Sequence, residues 1–235
     1  MQQQSREHTL KAFDEDLNQL RHLVIEMGGH AERSIREAMR CLVERDVDGA
    51  ARVVEGDRIL DALELETENR AVEVIALRAP MASDLRDVVA ALKISGVVER
   101  IGDYGKNIAR RVPLLDDVGD IEPVSVLVEM ARMSTNMVHD VLIAFVERDA
   151  AAAQDVCRRD QAVDDFYDSV FRTLLTFMME NPQNIGHCAH LLFVAKNLER
   201  VGDHATNIAE MVFYAATGER LVEQPPKRRK ERRRS

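Results

Sequence analysis

The chain has 235 residues, a formal net charge of −9, 31% charged residues, 4% aromatic residues and no Trp. Its 11 Gly and 6 Pro are too few to turn a chain every ten or so positions, which excludes sandwiches, barrels and β/α alternation and leaves an all-α fold. The final eleven residues, Pro225 to Ser235, hold seven Lys/Arg against one Glu and leave the preceding 224 at −15, an acidic body that repels phosphate backbones and is not expected to bind nucleic acid.

The first segment carries an apolar seam of Leu10, Phe13, Leu17, Leu20, Val24, Met27, Ala31, Ser34, Ala38 and Cys41. Spacings of three and four predict a helix over about residues 8–45. Asp46-Val47-Asp48-Gly49 breaks it, and a second helix follows over about 48–78. Pro80 punctuates, and Ser83-Asp84 reads as the N-cap of a third helix running to about Arg111. Pro113 to Pro123, with Asp116, Asp117, Gly119 and Asp120, reads as a linker. Three more helices follow over about 124–148, 150–179 and 184–217, broken at Asn181-Pro182 and closed by Gly218 after the last turn. This predicts two three-helix bundles, residues 1–112 and 124–218, joined by a linker over 113–123 and followed by a basic, solvated and disordered tail over 219–235. No apolar run reaches the roughly 18 residues of a membrane span, and no signal-peptide core follows Met1 to Gln4. A cytoplasmic location is expected, with Cys41, Cys157 and Cys188 as reduced, small apolar residues. Any dealing with a membrane would go through partners.

The second half repeats the first. Residues 99–109 and 199–209 share seven of eleven identities at an offset of 100, Glu-Arg-Ile-Gly-Asp against Glu-Arg-Val-Gly-Asp, each continuing to Asn-Ile-Ala. Leu42 to Asp46 matches Phe145 to Asp149 at an offset of 103, and Asp57 and Asp61 match Asp160 and Asp164 at the same offset.

The repeat carries acids at a spacing with chemical meaning. Glu99 and Asp103, Glu199 and Asp203, Asp57 and Asp61, and Asp160 and Asp164 each lie four apart, one turn above the other on one helix face. Glu64 and Glu68 continue the second-helix face, and Asn107 and Asn207 continue the third- and sixth-helix rows. Glu210 falls on the same side where the first repeat has Arg110, so the two sites are expected to bind unequally. Like charges at this spacing repel, and partial burial sharpens the cost. Bound cations are the economical explanation: oxygen donors suit Mg²⁺, Mn²⁺ or iron ions, with Zn²⁺ a further candidate. Solvated faces, or pairing with Arg100 and Arg200, are the structural alternative. Gly102 and Gly202 cost about 1 kcal/mol each in mid-helix, which needs a reason such as close helix approach. No Glu stands three residues before any of the seven His, so the di-iron oxidase element is missing, and no phosphate loop or nucleophile elbow occurs. Nothing argues for catalysis.

The duplicated 99–103 and 199–203 motifs, with Arg78-Ala79-Pro80-Met81-Ala82-Ser83-Asp84-Leu85-Arg86, resemble the PhoU family of phosphate-transport accessory proteins over roughly residues 8–220. The resemblance implies two pseudo-symmetric three-helix bundles, frequently dimeric, holding metal through Glu99, Asp103, Glu199 and Asp203 with Asp57, Asp61, Asp160 and Asp164 facing them. It further implies a cytoplasmic adaptor between the ATPase subunit of the phosphate ABC transporter and a phosphate-sensing histidine kinase, repressing the phosphate regulon when phosphate is plentiful. A di-metal carboxylate enzyme and a metal-free helical scaffold are the alternatives.

Overall fold

The computed structural model describes the backbone of residues 2–115 and 124–221 and the side chains of 12–115 and 124–221. Its helices are α1 Gln2–Glu44, α2 Val47–Gly56, α3 Arg58–Arg78, α4 Ser83–Ala109, α5 Val124–Glu147, α6 Ala150–Glu180 and α7 Ile185–Thr217. α2 and α3 are the two parts of one expected helix. They meet at Asp57, whose backbone stays helical at φ −57° and ψ −33°, while Leu60 N–H turns back early to the Asp57 carbonyl at 2.9 Å. The two bundles of the sequence reading are therefore α1 to α4 and α5 to α7.

The repeated Val-Glu-Arg-Asp string builds the two tight helix–helix turns. Arg45 and Arg148 take left-handed backbone at φ 57° and 55°. The next N–H then closes back onto the helix, Asp46 to the Cys41 carbonyl at 3.0 Å and Asp149 to that of Ala144 at 2.9 Å, satisfying carbonyls the helix end would orphan. The aspartate then caps the next helix: Asp46 accepts from Gly49 N–H at 2.7 Å, and Asp149 from Ala151 and Ala152 at 2.8 and 3.0 Å. The start of α4 differs from expectation. Ser83 is its first residue and Asp84 lies in its first turn, while the cap position belongs to Ala82 with no side-chain bond. Gly218 closes α7 as expected, at φ 78° with its N–H on the Tyr214 carbonyl at 2.8 Å.

Cross-helix contacts give the directions. Lys106 meets Asp57 and Gly96 lies by Glu64, so α4 runs antiparallel to α3. Arg86 reaches the Ala215 carbonyl at 3.5 Å while Arg111 reaches His190 and the Phe193 ring, so α4 and α7 are antiparallel across the bundle boundary. α1 packs on α5 as well, with Gly28 against Leu142. One apolar core therefore runs through both bundles. It takes in Leu20, Val24, Met27 and Ala31 of α1, Ile94, Val98 and Ile101 of α4, and Leu191, Leu198 and Val201 of α7. The α1 seam passes through Ile35, fully buried, rather than Ser34, which faces Gly105 at the α1–α4 crossing. Val112, just before the expected linker, is buried at the start of the 3₁₀ turn Val112–Leu114, and Leu115 after it is buried too, while Pro113 and Leu114 are exposed, so of the linker's described residues only Leu115 joins the core. Residues 116–123 of that linker and 222–235 of the basic tail lie outside the described residues. Among the described residues no helix is long and apolar enough to cross a membrane.

Candidate functional site

In the C-terminal bundle α6 and α7 turn their acids toward one another. Helical spacing puts Asp160 and Asp164 on one face of α6 and Glu199 and Asp203 on one face of α7. Gly202 lets the helices approach: a Cβ there would stand 3.1 Å from Asp160 Oδ1 and 3.5 Å from Val163. As a result, one oxygen each from Asp160, Asp164 and Asp203 lies within 4.8 Å of the others. Oxygens that share a cation at about 2.0–2.6 Å stand about this far apart. Asp160 Oδ1 is buried and has no hydrogen-bond partner, a state that costs free energy unless something positive meets it. Burial, then Asp164, Asp203 and Glu199, push the Asp160 carboxyl up to about 6. Burial, then Glu199, also raises Asp164 and Asp203. Crowded carboxylates, Asp160 and Asp164 half-buried and Asp203 exposed, with an all-oxygen donor set, fit a hard divalent or trivalent cation. Glu199 is at the edge of this group, with Oε2 paired to Lys196, whose ammonium stands 5.3 Å over the Tyr167 ring.

The N-terminal bundle brings the same residues together differently. Asp57 and Asp61 at the α2–α3 junction, with Glu64 of α3, face Glu99 and Asp103 of α4. Gly102 again permits the approach, since a Cβ there would overlap Leu60. Burial, then Asp103, Glu64, Asp61 and Asp57, push the Glu99 carboxyl up to about 7. Glu64 is raised by burial, then by Glu68 and Asp61. Here, however, the Lys106 ammonium donates to Asp57 and, at 2.8 Å, to Asp103 Oδ1. Among the described residues, only the Asp160, Asp164 and Asp203 oxygens converge as a metal-ligand group.

Both lysines went unread in the sequence, although Lys106 stands three after Asp103 and Lys196 three before Glu199, spacings that meet on a helix face. The accessory residues divide. Asn207 is exposed and its amide lies 3.3 Å from His204 Nδ1; Asn107 is half-buried. Glu210 is near enough to Cys157 to act with burial, its larger cause, and with Asp160 in pushing that thiol up to about 11. Among the described residues no ion pair joins Arg100 or Arg200 to these acids, although the Arg100 charge acts on Glu64 and the Arg200 charge on Asp203, each lowering its pKa against the larger effect of burial.

Tyr104 and His204, one residue beyond Asp103 and Asp203, meet across the α4–α7 boundary. Their rings stack at 5.4 Å with 17° between planes, and the Tyr104 hydroxyl lies 2.9 Å from His204 Nε2. Burial, then Arg100 and Arg200, lower the His204 pKa and favour the neutral ring. The two acid sites thus back onto one shared aromatic contact.

The PhoU domain matches this chain twice, over residues 24–112 and 127–212, the two halves read from the repeat. A protein of Zymomonas mobilis, a phosphate-specific transport system accessory protein PhoU homolog, is 53% identical over 216 residues, 92% of this chain and 91% of its own. One of the same description from Caulobacter vibrioides is 46% identical over 94% of this chain and 96% of its own. The crystal structure of PhoU from Pseudomonas aeruginosa superposes with a TM-score of 0.83 at 34% identity, over 88% of this chain and all of that one.

Proposed function

The chain belongs to the PhoU family, and from that premise we propose that it is a non-enzymatic accessory regulator of phosphate uptake. In this reading it works in the cytoplasm as a homodimer that couples the ATPase subunit of a phosphate ABC transporter to a phosphate-sensing histidine kinase and represses the phosphate regulon in phosphate-rich conditions. In this reading metal is held on its acid faces, with Asp160, Asp164, Asp203 and Glu199 as the donors of the C-terminal bundle and Asp57, Asp61, Glu99 and Asp103 as the corresponding acids of the other. The observation that carries the reading is the near full-length match, on both sides, to accessory proteins of phosphate-specific transport. Cys157 is the thiol nearest the second acid site, and burial there keeps it protonated at neutral pH, which leaves it a poor nucleophile. A hard cation among these acids would supply charge neutralisation, while the helices set the donor positions. The test is to delete the gene and follow phosphate-starvation genes in phosphate-rich medium. Derepression reversed by the wild-type gene is expected; unchanged expression refutes the regulatory reading.

A further inference from the structure

We propose that Lys106 is a tethered cation that closes the Asp57–Asp103 position of the N-terminal bundle to metal, leaving the equivalent C-terminal position, where Thr206 replaces lysine, as the one that takes a divalent ion. The proposal rests on the metal-binding reading and sharpens it to one site of two.

The repeat makes the comparison residue by residue: Asp57 answers to Asp160, Asp103 to Asp203 and Lys106 to Thr206. In the first bundle the ammonium binds an oxygen of each aspartate, and the Asp57 side chain is only 7% exposed. A metal entering there would have to break both charged hydrogen bonds and expel an ammonium tethered to the same helix, which returns at high effective concentration. In the second bundle Thr206 Oγ1 is neutral and spends its proton on the Asp203 carbonyl at 2.6 Å. Among the described residues no cation is bonded where Lys106 would be, and Asp160 Oδ1 is left buried and unpartnered. The lysine that this bundle does have, Lys196, is one turn away and pairs with Glu199; its charge is felt by Asp164 and Asp203, but among the described residues its ammonium is bonded to none of the three converging aspartates. Its counterpart is Gly96, whose missing side chain admits Glu64 instead, 3.1 Å from where a Cβ would be. Each bundle therefore has one lysine at a different level of its acid row, and among the described residues only the C-terminal arrangement leaves three carboxylates converging with no ammonium bonded to them.

The test uses the full chain stripped with EDTA and loaded with Mn²⁺ alone. Bound manganese is counted by elemental analysis, and its position is read from hydrogen exchange of α3–α4 against α6–α7 peptides. Wild type should show slowed exchange in α6–α7 only. Lys106→Thr should roughly double the manganese per chain and extend protection to α3–α4, and Thr206→Lys should lose the C-terminal ion. Equal protection of both bundles in wild type, or Lys106→Thr binding no more manganese than wild type, overturns the assignment of Lys106 while leaving metal binding intact. If Lys106→Thr does not fold, Thr206→Lys decides alone: undiminished binding there overturns the proposal. Absence of manganese from every protein refutes the metal reading and the proposal with it.

Discussion

Replacing Asp160 by Asn should stabilise the metal-free protein. The folded chain holds the Asp160 proton up to about 6, against an ordinary 3.8. Keeping the carboxylate charged at pH 7.5 therefore costs about 3 kcal/mol at most. The group is only half withdrawn from water, and screening reduces that to about 1–2 kcal/mol. Asn keeps the shape, and no hydrogen bond to the orphaned Oδ1 is lost. For a chain of this size the gain corresponds to roughly 2–8 °C in Tm. The sign with pH follows from linkage: the folded pKa lies above the unfolded one, so the penalty is fully present above about pH 6 and fades as pH falls toward 4. Urea unfolding followed by helical circular dichroism in EDTA should show Asp160→Asn ahead of wild type at pH 7.5, with the lead narrowing by pH 5. Added Mn²⁺ should reverse the order, since it stabilises only a site that keeps its ligand. A variant no more stable than wild type at pH 7.5, or a difference independent of pH, would refute the account of a crowded, uncompensated carboxylate.

Gly105→Ala sets helix propensity against packing. Alanine favours the helix by about 1 kcal/mol, but its Cβ would stand 2.9 Å from the Ile35 backbone nitrogen of α1, a neighbour that cannot rotate away. Overpacking of about 1–3 kcal/mol should prevail, giving a lower Tm, whereas Gly56→Ala, with open space around it, should raise it; a stabilised Gly105→Ala would mean that α1 and α4 are not this close. Asp149→Ala removes both cap bonds at the start of α6 and should cost about 1 kcal/mol in denaturant unfolding. Loss of much less would indicate that Arg148 and the backbone bond set that turn without the cap.

Local features were legible in the sequence because each is a matter of spacing along one chain. The α1 seam from Phe13 to Cys41, the stop at Gly218 and the acid rows on α4 and α7 follow from 3.6-residue periodicity and backbone chemistry. Where local signals competed, the sequence misled. Ser83 and Asp84 look like a cap, yet Ala82 in an unusual φ 50°, ψ −111° conformation takes that position. Val112 and Leu115 lie in or beside a Pro-rich stretch but bury their side chains in the core.

The repeat also shows that Asp57 answers to Asp160 and Asp103 to Asp203, and hence that the chain carries two related groups of acids. It could not tell that they differ. That difference depends on distances between helices: an ammonium from α4 reaching Asp57 across the bundle, Gly202 admitting Asp160 Oδ1 into a space without a partner, and Tyr104 meeting His204 across the boundary of the two halves. Periodicity along a helix determines which residues share a face. Only packing decides which faces meet, at what separation, and whether a lysine already stands between them.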